Sequence, residues 1–129
     1  MSVELSLLVW SVALTFVQVV IAASGATMQV GLPMLADNRE NMPEITGWAG
    51  RAHRAHRNML ENLLLFAILV LAVQLMGKNN AMTVLGAQLF FWARLAYAGI
   101  YLAGIPWLRT GAFAVAVVGM VLIFLQLLG

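Results

Sequence analysis

Arg51, Arg54, Arg57, Asn58 and Glu61 recur at intervals of three, four and one residues along one stretch of the chain. On a helix that spacing gathers them into a sector of about 120° over three turns. The chemistry they offer is recognition. Guanidinium forks hold carboxylates or phosphates, an amide both donates and accepts, and a carboxylate takes an ammonium. Such a set suits a zwitterionic or polyanionic small molecule, and also a bilayer headgroup. His53 and His56 point away from the sector; with no third ligand beside them they are read as packing residues rather than a metal pair.

A second set lies further on. Arg94, Tyr97 and Tyr101 are spaced by three and four residues and form one stripe within about 60°. Two readings stay open. Arg94 can neutralise Glu61 while the tyrosines mark an aromatic belt, or Arg94 and the phenols can form the opposing wall of the same pocket. Arg109, just past Pro106, returns to the charged end and can reach the pocket mouth. Trp92 and Trp107 are expected to face lipid or the interface.

The elements that must position these residues follow from composition. Of 129 residues, 63% are hydrophobic and 9% charged, whereas a soluble domain carries about 25% charged residues. The mean hydropathy is +0.93. An integral membrane protein of a single domain, residues 1–129, is expected. Apolar runs at Leu5–Ala26, Met59–Met76, Met82–Ile105 and Gly111–Leu128 each approach the ~20 residues that cross ~30 Å of hydrocarbon as a helix. The fold class expected is an all-α bundle of four transmembrane helices.

The first helix, Leu5 to about Gln29, is read as retained rather than cleaved, since its apolar run exceeds a signal segment. A polar loop, Ala36–Thr46, leads to a helix from Gly47 to Met76, with Thr46 as its N-cap. That helix is longer than the hydrocarbon is thick, so its charged start should project into headgroups or water. Glu61 falls inside the apolar boundary, where an unpaired carboxylate needs a cation or an amine donor. Gly77–Asn80 forms a turn, and Pro106–Thr110 a second one, with Thr110 capping the last helix. Arg39, Arg51, Arg54, Arg57 and Arg109 fall on one side and Lys78 alone on the other. The positive-inside rule then makes the first and third loops cytoplasmic, with both chain ends outside. The chain has no cysteine, so a protein thiol nucleophile and thiolate metal sites are excluded. A net charge of +2, dispersed among helices, argues against nucleic acid as a partner.

Arg54-Ala-His-Arg-Asn58 with Glu61, then Arg94 with Tyr97 and Tyr101, then Pro106 and Arg109, resembles the MAPEG family, the membrane-associated proteins of eicosanoid and glutathione metabolism. The likeness covers essentially the whole chain, and the run Gln88–Thr110 is similar to small bacterial members. It implies a homotrimer in a bacterial inner membrane, with glutathione as co-substrate between neighbouring subunits near the cytoplasmic face. Arg54, Asn58 and Glu61 would hold the peptide's charged ends, with Arg51 and Arg94 in the same binding set. Tyr97 and Tyr101 would contact its backbone or cysteine, and Arg109 would stabilise the thiolate. A lipophilic acceptor would enter from the membrane lipids. Where other members often carry a basic residue late in the first helix, this chain has Gln29.

The activity expected is a glutathione-dependent transferase or peroxidase acting on lipophilic electrophiles or lipid hydroperoxides. The alternative is a non-catalytic scaffold, or an accessory subunit of a larger membrane complex, using the same polar face for assembly or lipid-phosphate binding.

Overall fold

A computed structural model describes residues 1–129. It is all-helical: α1 Val3–Val30, a short α2 Leu32–Ala36, α3 Gly47–Met76, α4 Ala81–Ala103 and α5 Pro106–Leu128. The expected range of the long charged helix matches α3 at both ends. The short α2 was not foreseen; it occupies the start of the connection after α1. Two expected caps fail. Thr46 stands at the N-cap of α3 but its side chain makes no capping bond. Thr110 caps nothing, because α5 begins at Pro106, with Ile105 as N-cap. Proline at a first helical position gives up no intrahelical bond and has its φ already set, so the expected turn becomes the first turn of α5. Arg109 is therefore a helical residue.

Of the four long helices, α1, α3 and α5 are long and apolar enough to cross a membrane. α4 is as long as α5, but Gln88 and Arg94 interrupt its apolar run. The helices alternate in direction, and hydrogen bonds stitch each end of the bundle. At one end Ser2, Glu4, Gln74, Asn79, Thr83 and the Asn80–Gln126 pair meet. At the other end the Gln29 amide brackets Thr46, donating to its carbonyl at 2.7 Å and accepting from its N–H at 3.0 Å. That pair of hydrogen bonds pins the long connection to α1.

The core is built from α3, α4 and α5 around Met59, Phe66, Val70, Phe90, Met120 and Ile123, with Phe66 stacked on Phe90 at 4.0 Å between ring centroids. α1 is arranged the other way round. Its buried residues are Glu4, Ser11, Thr15, Gln18, Ala22 and Gly25, while Val9, Trp10, Phe16, Val17 and Val20 are exposed. Lipid solvates large apolar side chains as well as a protein core does, so small and hydroxyl-bearing residues take the interhelical seam, where they let backbones approach. Two crossings are close enough to require glycine. A Cβ on Gly25 would stand 2.6 Å from the Ala49 Cβ, and Cβ atoms on Gly86 or Gly119 would each stand 2.5 Å from the other residue's carbonyl oxygen. These set α1 against α3 and α4 against α5.

Candidate functional site

The charged residues of α3 occupy its first turns, and α4 brings its last two turns beside them. Arg51, half-buried, donates from Nε to the Leu102 carbonyl at 3.0 Å. Leu102 lies in the last turn of α4, where carbonyls lack helical partners and carry the negative end of the helix dipole. Gly104, at φ 81°, closes that turn in the left-handed region. Arg51 is thus committed to fixing the end of α4, and one of its donors is removed from the expected binding set.

Arg54 is exposed and donates from Nε to the Tyr101 hydroxyl at 3.2 Å. Arg109, from the first turn of α5, lies over the same ring, 4.6 Å from its centroid. Tyr101 is therefore held between two cations from two different helices, and it meets Tyr97 edge-on at 5.6 Å. A phenol that accepts from a guanidinium keeps its own O–H to donate. Asn58, Tyr97, Arg109, Thr110 and Phe113 line one open cleft where α3, α4 and α5 meet. Of the residues read as opposing walls, Asn58 and Tyr97 face this shared space, and α5 supplies the rest of its lining.

Asn62, one turn beyond Asn58, donates to both the Asn58 carbonyl at 2.9 Å and its side-chain oxygen at 3.3 Å. Asn58 itself lines the cleft, and its amide N–H₂ has no partner within the chain. Asn62, Thr110 and Phe113 were missed in the sequence. The four-residue spacings Asn58–Asn62 and Arg109–Phe113 were the available signal.

Three expectations are corrected or displaced. Arg94 is 1% exposed and none of its guanidinium nitrogens has a hydrogen-bond partner, so it does not neutralise Glu61. It lies over the Tyr97 ring at 4.1 Å, because a three-residue helical spacing stacks it on its own neighbour. It does not line the cleft. Glu61 is exposed on α3 and joins no hydrogen bond or ion pair within the chain, as does Arg57. The His53 and His56 rings contact each other at 5.8 Å, away from the cleft. Trp92 and Trp107 are exposed, the latter at 86%, in keeping with lipid or interfacial positions.

The arrangement offers guanidinium, amide and phenol donors around a small open cleft, with one carboxylate, Glu61, and one arginine, Arg57, left without a partner on the exposed side of α3. With no cysteine in the chain, any thiol chemistry must use a thiol carried in by the ligand. No curated protein and no solved structure shows a significant match to this chain. The model of one family does, over residues 5–129, and with that span and the helical bundle described above the chain belongs to the MAPEG family.

Proposed function

We propose that the protein is a glutathione-dependent membrane transferase or peroxidase acting on lipophilic electrophiles or lipid hydroperoxides. The observation that carries this reading is the convergence of Asn58, Tyr97 and Arg109 from three helices on one cleft, beside a Tyr101 ring held by Arg54 and Arg109. Glutathione presents two carboxylates, one ammonium, two amides and a thiol. The Arg54 fork and the Asn58 amide suit its carboxylates and peptide groups, and Glu61 suits its ammonium. Arg109 supplies positive charge where the thiol would sit, and a nearby cation lowers a thiol pKa and favours the thiolate. The Tyr101 hydroxyl can donate to the same sulfur.

The thiol proton leaves to water, and the sulfur lone pair forms a bond to the electrophilic carbon as the leaving group departs with its electron pair. With a lipid hydroperoxide, two glutathione molecules are oxidised to the disulfide while the hydroperoxide is reduced to an alcohol and water. Calorimetry on the detergent-solubilised protein tests the reading: glutathione should bind, and Arg54→Ala and Glu61→Ala should each weaken it. Absence of any heat with glutathione sinks it.

Arg57 and Glu61 are exposed and unpaired within the chain, and Glu61 lies at the apolar run of a membrane-crossing helix, where an unpaired charge is expensive. This supports a homotrimer in which neighbouring subunits face these residues and complete the site. It also supports the second reading, a scaffold in which the same charges serve only assembly or lipid phosphates. Under that reading, removing them lowers oligomer stability and leaves any thiol chemistry unchanged. The proposed setting is a bacterial inner membrane, all four long helices spanning it. The arginine-rich end, with the connections after α1 and after α4, lies on the cytoplasmic side.

A further inference from the structure

Beside α1, the α3–α4 pair lines a second space that shares no residue with the cleft. There a groove opens, walled by Leu14, Gln18 and Ile21 of α1, Ala55 of α3, and Leu95 and Gly99 of α4. Small residues make the space: a Cβ on Gly99 would meet nothing within 4 Å. The walls are apolar except at Gln18. That residue is 7% exposed, and its amide oxygen is fully enclosed with no hydrogen-bond partner. Its neighbours on the buried stripe of α1, Ser11 and Thr15, are different, since each hydroxyl donates to the carbonyl one turn back, at 2.8 Å and 2.7 Å. Gln18 is thus the unsatisfied polar group on this seam.

A buried unmet amide is destabilising, and hydrocarbon chains of the bilayer cannot relieve it. Rotation about the last side-chain bond exchanges the amide oxygen and nitrogen. The groove can therefore present either an acceptor or a donor. A hydroxyl group matches both orientations, since it donates and accepts.

We propose that this groove binds a hydroxyl-bearing lipophile from the bilayer, its hydroxyl on the Gln18 amide and its apolar body between α1 and α4. An unsubstituted acyl chain fits the walls but leaves Gln18 unmet. The proposal is independent of the thiol chemistry, because the groove and the cleft share no lining residue.

The test uses the whole protein in phosphatidylcholine vesicles, without glutathione. Two photoreactive probes are compared: a long-chain alcohol bearing a diazirine, and the same chain and diazirine without the hydroxyl. Labelled positions are mapped by mass spectrometry. The alcohol should label groove residues of α1 and α4 about threefold to tenfold more than its hydroxyl-free counterpart, the worth of one hydrogen bond between groups in a membrane. Gln18→Leu should abolish that excess. Gly99→Leu, which fills the groove from α4 and leaves Gln18 in place, should abolish groove labelling by the alcohol and so serves if Gln18→Leu fails to fold. Equal labelling by both probes, or an excess that survives Gln18→Leu, overturns the proposal. So does absence of labelling together with disulfide formation between two Gly99→Cys chains, which would mean that a second copy covers the groove.

Discussion

Tyr101 joins the two cations of the candidate site without belonging to either of their helices. Its hydroxyl accepts from Arg54 while its ring carries Arg109. Tyr101→Phe keeps the ring and deletes the acceptor, so Arg54 loses its anchor and Arg109 keeps its own. Glutathione affinity, read by calorimetry, is expected to fall about fivefold, in line with about 1 kcal/mol for one hydrogen bond to a charged donor's partner; an unchanged affinity would show that Arg54 does not depend on Tyr101 for its position. Arg94 poses the opposite problem. It is enclosed, without hydrogen bonds, over Tyr97. Replacing a buried charge by an apolar side chain of similar volume is often neutral or stabilising. Arg94→Met should hold or raise the thermal midpoint of the isolated chain in detergent, and a fall of several degrees would mean that the assembled protein gives the guanidinium a partner.

At the scale of elements, the position of Arg109 relative to Tyr101 depends on how closely α5 approaches α4. That approach is set by Gly86 and Gly119, each backed against the other's carbonyl. Gly86→Ala inserts a methyl where no volume exists, and overpacking of this kind costs about 1–3 kcal/mol. Thermal unfolding in detergent should register that loss, while Gly99→Ala on the open side of the same helix should leave the midpoint within error. If Gly86→Ala were as mild as Gly99→Ala, the α4–α5 crossing would not be held by backbone contact. α1 shows the same logic through polarity. Its seam is lined by serine, threonine and glycine because large apolar side chains gain nothing by leaving lipid.

For the whole molecule, the end of the bundle far from the candidate site is closed by Glu4. The carboxylate is 1% exposed and accepts from the Thr83 hydroxyl at 2.6 Å and the Asn79 amide at 2.8 Å. It thereby ties the start of α1 to the turn between α3 and α4. Glu4→Ala removes both bonds and leaves the Thr83 hydroxyl only the Asn80 carbonyl at 2.9 Å and the Asn79 amide only Gln74 at 3.3 Å, at a cost of about 1 kcal/mol for each bond lost. Hydrogen exchange should accelerate in residues 78–83 while the Arg51–Leu102 end keeps its protection. Uniform acceleration would mean that the two ends are not independent clamps. Assembly is tested at the same scale. Native mass spectrometry in detergent should return three chains, and Glu61→Arg should reduce that species; a monomer retaining glutathione binding would refute a site completed by neighbours.

Much of this protein was legible in its residues. Composition placed it in a membrane, the Gly47–Met76 helix was read to the residue, and the spacings of Arg54 and Asn58 on one helix and of Tyr97 and Tyr101 on the next set each pair on one helix face, because helical periodicity is local and membrane helices form as units. Contacts between helices were not legible, since pairing depends on crossing distances that no spacing along one chain encodes. The sequence by itself offered Arg94 and Glu61 as natural partners of opposite charge. Only the tertiary structure decided that Arg94 stacks on Tyr97 and that Glu61 faces outward, because α4 meets α3 through Phe66 and Phe90 and turns the two charges apart. The same packing brought α5 far enough in for Arg109 to rest on Tyr101, and left Gln18 without a partner.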